Sequence, residues 1–120
     1  MIGPSLAQAM PLHAKVHGWM WEMVRREGGM SHLGLCLYHV MAEAGIGDVD
    51  VRSQAGLITP TEDARVPFIL KAVRQRIIDQ GIVEDDDYDV DELTAGLERE
   101  RRGAPHVAVW DMAYLAVGTR

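Results

Sequence analysis

The chain has 120 residues, 48% of them hydrophobic and 25% charged, with a formal charge of −6. That mixture fits one globular domain with a modest core, and the scattering of basic residues among acids argues against nucleic acid, whose phosphates draw on clustered lysine and arginine. The lone cysteine, Cys36, excludes an internal disulfide and a thiolate metal site, no stretch is long enough to span a bilayer, and the N-terminal segment lacks the basic start and unbroken apolar run of a signal peptide. A protein of the reducing cytoplasm is expected, with small molecules or protein chains as partners and neither nucleic acid nor membrane.

Residues 1–30 read as an irregular lead followed by a helix. Gly3, Pro4 and Pro11 punctuate the lead, and Leu12 to Arg26 carries Leu12, Val16, Trp19, Met20 and Met23 on one apolar face before Gly28 and Gly29 end it. Trp19 and Trp21 stand two apart and so on different faces, which leaves one of them to a pocket or a partner surface. Residues 31–58 form a helix–strand unit. Ser31 caps a helix whose Leu33, Leu37, Val40, Met41 and Ala44 share a face that should lie on a sheet, with Cys36 buried inside the helix. Gly45 supplies a left-handed stop, and Val49 and Val51 alternate with Asp50 and Arg52 in a strand reaching Leu57.

Residues 59–104 read as a helical insertion. Pro60 marks a turn, and Pro67 sits in the first turn of a helix from Val66 to Gln80. Ile69, Val73 and Ile77 form its apolar stripe, Leu70 and Ile78 widen it, and Gly81 stops it. In the acidic run from Glu84 to Glu92, Asp89 and Glu92 have capping-box spacing for a helix ending near Arg102, whose Arg99, Arg101 and Arg102 suit the negative end of the helix dipole. A calcium loop beginning at Asp85 would need glycine and a carboxylate where Val90 and Gly96 stand. Residues 105–120 hold the last strand, Val107 to Val117, apolar on both faces, with Asp111 opposite Trp110 and Tyr114 in the alternation. A strand apolar on both faces is normally covered on both faces and paired on both edges. The chain offers one other strand, so a second copy or a complementary chain is expected to complete the sheet.

Three residues stand out as candidates for catalysis. His13 and His17, four apart, project from one side of a helix, as acid–base residues and metal ligands do; no third ligand has suitable spacing, so no metal is assigned. Asp111, inside an apolar strand, must find a partner or open onto a cleft. An arginine or a helix end would make it structural; a cleft would fit it for proton transfer. His39 is expected to face solvent or a partner, His32 and His106 lie at element ends, and Cys36 has no neighbouring base to activate it.

Taken together, residues 18–60 (GWMWEMVRREGGMSHLGLCLYHVMAEAGIGDVDVRSQAGLITP) and 107–120 (VAVWDMAYLAVGTR) resemble the C-terminal half of a class I S-adenosylmethionine-dependent methyltransferase of small molecules. The resemblance lies in the order of parts: a glycine-rich approach at Gly28 to Leu33, a helix ending in Ala44 and Gly45, the Val49-x-Val51 strand, an insertion from Val66 to Arg102, and a final antiparallel strand. It implies an α/β fold, α+β when taken as a fragment, in which helices pack on two antiparallel strands and shape the substrate side of a pocket, in small-molecule or secondary metabolism. The family's cofactor-binding half, with its Gly-rich turn after a first strand, has no counterpart here, so no cofactor-binding residue is assigned. S-adenosylmethionine is expected only with a complementary half. Two other functions remain open: a cofactor-independent cyclase or isomerase using His and Asp for proton transfer on the same scaffold, and a noncatalytic interaction module.

Overall fold

A computed structural model describes residues 6–29, 33–104 and 107–120. The expected cap at Ser31, the end positions of His32 and His106, and the start of the lead lie outside those residues. The elements run α1 (Leu6–Ala9), α2 (Pro11–Arg26), a 3-10 turn (Leu33–Cys36) leading into α3 (Leu37–Glu43), β1 (Gly47–Ile58), α4 (Val66–Asp79), α5 (Val90–Gly103) and β2 (Ala108–Thr119). The fold is α+β, with helices around a two-stranded antiparallel sheet. Among the described residues no helix is long and apolar enough to cross a membrane.

Local chemistry accounts for most element boundaries. Gly81 (φ 71°) and Gly45 (φ 80°) take the left-handed conformation that closes α4 and α3, and the residue after each donates back into its helix: Ile82 N–H to the Ile77 carbonyl at 3.2 Å, Ile46 N–H to the Met41 carbonyl at 3.1 Å. Asp89 accepts from the Glu92 N–H at 3.0 Å and starts α5. The N-cap position of α2 is Met10, which has no side chain able to cap. Its place is taken from across the fold by Glu100 of α5, whose carboxylate accepts the N–H groups of Leu12 and His13, each at 2.8 Å. A carboxylate at that end also complements the helix dipole.

The helices build a body whose core holds Val16 and Met23 of α2, Val66, Leu70, Val73 and Ile77 of α4, and Leu97 of α5. Tyr88 is buried with them, its hydroxyl donating to the Leu70 carbonyl at 2.6 Å, and burial pushes its phenol up to about 12. The sheet contributes only Ile58, Ala108 and Trp110 to the core, all from the end where the chain leaves β1 and enters β2. Beyond them the two strands project as an arm. The molecule measures 49 × 35 × 21 Å with a radius of gyration of 16.7 Å, against about 14 Å for a compact chain of this length.

One expectation about the arm needs correction. The helix after Ser31 was expected to bury its apolar face; instead Leu33–Cys36 winds as a 3-10 turn, α3 has seven residues, neither contains a buried residue, and Cys36 is half-buried. Gly34 shows why the turn is tight: it lies against the Tyr114 ring, where any Cβ would collide. The last strand, apolar on both faces, is left open within this chain: Val109, Met112, Leu115 and Val117 are all exposed, Leu115 at 62%. An amphipathic pattern records which surface needs cover and carries no information on what provides it.

β1 pairs with β2 from Gly47 opposite Thr119 to Ile58 opposite Ala108, with an irregularity that matters for the site. Ala55 faces Met112 and Leu57 faces Val109, so the single residue Gly56 lies opposite both Trp110 and Asp111. This is a β-bulge, and it interrupts the strict alternation of side chains along β2.

Candidate functional site

α2 turns His13, His17 and Trp21, successive residues four apart, toward the bulge in β2. The Trp110 ring, buried at the body's edge, meets both imidazoles edge-on, at 6.0 Å from His13 and 4.8 Å from His17 between centroids. Regular alternation would send Asp111 to the face opposite Trp110. The bulge brings it instead to the same histidine, with Asp111 Oδ1 at 3.0 Å from His17 Nε2. Asp111 was expected either to find a partner or to open onto a cleft; its side chain is 48% exposed, and its partner is an imidazole rather than an arginine or a helix end.

His13 and His17 have different surroundings despite sharing a helix face. His13 is 1% exposed, and its Nδ1 lies 2.8 Å from the Glu100 oxygen that also accepts its backbone N–H. That ring helps fasten α2 to α5, and its open side borders a depression of about 170 Å³ with Asp63, Thr94 and Arg101. The structure therefore separates His13 from the other two candidates. Glu100 had no signal in sequence, standing 88 residues from Leu12.

His17 Nε2 has a second neighbour, the Trp21 indole N–H, at 2.9 Å. One ring nitrogen carries either a lone pair or a proton. With a lone pair it accepts from Trp21 and leaves Asp111 without a donor; with a proton it donates to Asp111 and leaves the indole unpaired. Trp21, His17 and Asp111 thus form a chain of three polar groups whose hydrogen bonding depends on where one proton sits. Trp21 was available to sequence reasoning as the next residue in the four-residue spacing from His13 and His17. Its neighbour Trp19 takes the core side of α2, stacked on Tyr88 at 5.6 Å with Lys15 Nζ 5.4 Å from its own ring.

Beside this chain of groups lies an open cleft of about 560 Å³, lined by Trp21, the segment from Leu33 to Leu37, and Asp111, Met112 and Tyr114 of β2. Its volume is in the range of small-molecule sites, and its mixture of aromatic and aliphatic side chains around one carboxylate is of the kind that binds them. Tyr114 was expected to pack on the face away from Asp111; it lines the same cleft.

The described glycines do not form an S-adenosylmethionine loop. Such a loop offers free backbone N–H groups between a strand and a helix. The described glycines with positive φ are Gly28, Gly45 and Gly81, and all three follow helices. Their N–H groups are used in closing those helices, on the carbonyls of Arg25, Ala42 and Ile78 at 2.9 to 3.1 Å. Among the described residues no group of three or more His, Cys, Asp and Glu could hold a metal ion. Comparison with known protein families, with curated proteins and with solved structures finds no match for this chain.

Proposed function

We propose that this chain binds a small molecule in the cleft between α2, residues 33–37 and β2, as the substrate-side half of a methyltransferase-like fold working in the cytoplasm in small-molecule or secondary metabolism. The observation that carries this reading is the pairing of His17 with Asp111 at 3.0 Å on the border of an apolar cleft. An imidazole held by a carboxylate can accept a proton from a hydroxyl or amine while the carboxylate stabilises the imidazolium that forms. Methyl acceptors need such a base as their heteroatom becomes a nucleophile. The resemblance in sequence supplies the class of reaction; the cleft and the pair supply a place for its acceptor.

S-adenosylmethionine enters this reading only through a complementary chain. Among the described residues β2 pairs with β1 alone, leaving its outer edge without a strand partner there. Edge strands of this length are natural sites of strand addition, and a twelve-residue antiparallel edge can pair with its own copy about a two-fold axis. A second copy is the default occupant of that edge and a cofactor-binding chain the alternative. The same His17–Asp111 pair would serve a cofactor-independent isomerase or cyclase, because proton transfer between His17 and a bound substrate needs no cofactor.

Calorimetric titration with S-adenosylmethionine beside a mass measurement in solution tests the reading. The chain by itself is expected to give no heat of binding and to run at twice its 13.3 kDa. A low-micromolar titration with one site per chain would overturn the missing-half reading. A monomer would overturn the pairing of β2 with a second copy.

A further inference from the structure

The geometry points to a protonated amine carried on a flat or aliphatic body as the ligand of this cleft, with the ammonium on Asp111 and the body against Trp21 and Tyr114. The inference rests on the cleft being the small-molecule site and adds the chemical class of its occupant.

Four observations converge on a cation. Asp111 is the only charged side chain lining the cleft among the described residues. Its Oδ2 accepts no hydrogen bond among those residues, and Oδ1 has only the shared His17 nitrogen. The cations on the same helix are engaged elsewhere, Arg25 and Arg26 by Glu22 and Lys15 over Trp19. Finally, Trp21 and Tyr114 put two aromatic rings into the lining, and the π faces of such rings attract an ammonium.

The hydrogen count sharpens this. His17 Nε2 cannot accept from Trp21 and donate to Asp111 together, so in the unliganded site one of the three groups lacks its partner. An ammonium has hydrogens to give and nothing to accept with. Placed on Asp111 Oδ2 it supplies a donor that the carboxylate lacks and leaves the His17 contact at Oδ1 in place. A neutral alcohol supplies a single donor without the charge, and a carboxylate ligand would meet Asp111 with like charge. The net charge of −6 adds a long-range bias of the same sign.

The test uses the full chain labelled with nitrogen-15 and three probes of similar size, phenethylammonium, phenethyl alcohol and phenylacetate, followed by the Trp21 indole N–H resonance. Phenethylammonium is expected to bind roughly tenfold or more tightly than the alcohol, as for one charge-assisted hydrogen bond, and phenylacetate to leave the resonance unmoved. Asp111→Asn should remove that preference while keeping weak binding of the alcohol, and Asp111→Glu, which keeps the charge if the amide disturbs folding, should retain it. Equal binding of amine and alcohol, or a preference that survives in folded Asp111→Asn, would overturn the amine and leave the cleft standing. No movement with any of the three would overturn the small-molecule reading together with it.

Discussion

The helical body and the β arm are made from the same kinds of residue, and only the body covers its own. Val66, Leu70 and Ile77 in α4 are fully buried, while Leu35, Val109, Leu115 and Val117 in and beside the arm face outward. Both regions have a regular apolar pattern and glycine-marked ends. What differs is the number of layers: α4 has α2 and α5 packed on it, whereas among the described residues the outer arm is a two-stranded sheet with α3 and the 3-10 turn against it. A two-stranded sheet is marginal in water unless something packs on it. The body thus buries its own apolar residues, and the described part of the arm leaves many of its own exposed.

The largest expected effect breaks this comparison if it is wrong. Leu70→Ala should destabilise the chain by about 2–5 kcal/mol in a denaturant titration, from lost burial and the cavity left behind. Leu115→Ser, in the arm, should cost within about 0.5 kcal/mol at concentrations where the protein is dissociated, and should weaken any self-association. Equal losses in the two variants at low concentration would mean that the arm has a core of its own.

Second in size is the joint that ties α2 to α5. Glu100→Ala leaves the Leu12 and His13 N–H groups and the buried His13 Nδ1 without their acceptor, and should cost about 2–3 kcal/mol. Glu100→Gln keeps one carbonyl oxygen for the backbone but turns an amide NH2, itself a donor, toward the remaining donors, so a smaller part of the stability should return. If alanine and glutamine are both harmless, the cap is not holding the helix.

How much of this was legible in the sequence follows the distance between the residues concerned. α2, α4 and α5 were readable because Pro67, Gly81 and the Asp89–Glu92 pair act within one or two turns of themselves. The bulge was not, because it depends on which residue of β1 lies opposite Trp110 and Asp111, and Gly56 is more than fifty positions away. Counting alternate residues through that point put Trp110 and Asp111 on opposite faces, and both meet His17. His17 and Asp111 were each selected from residue type and surroundings; their meeting required the register. Glu100 looked like one more surface acid in an amphipathic helix.

A smaller effect is expected at high pH. The Tyr88 hydroxyl, buried and donating to the Leu70 carbonyl, has its pKa raised to about 12 from the usual 10. The folded state therefore favours the protonated phenol. Its contribution is complete below pH 10, declines as pH rises from there, and is lost as pH passes through about 12, where unfolding releases a proton that the native state retains. Tyr88→Phe should lower stability at neutral pH by about 1 kcal/mol, the size of one hydrogen bond, and should flatten the alkaline decline. An identical alkaline profile in the phenylalanine variant would place the titrating group elsewhere.

The smallest effect on folding separates the two histidines of α2. His17 is a quarter exposed and its hydrogen-bonding partners, Trp21 and Asp111, both reach water, so His17→Ala should change stability by about 0.5 kcal/mol or less. His13 is sealed in the body with its ring nitrogen on Glu100, and His13→Ala removes that hydrogen bond and leaves a cavity, at a cost of about 2 kcal/mol or more. The two substitutions are chemically identical, and in an extended peptide the four-residue spacing between them, about 13–14 Å of chain, would not distinguish them; the fold does. If His17 moves protons, its loss should also lower turnover by about 10²-fold or more in a chain that melts normally. Unchanged turnover in such a variant would reduce the His17–Asp111 pair to a surface contact, and a His17→Ala variant as unstable as His13→Ala would show that the edge of the cleft belongs to the body after all.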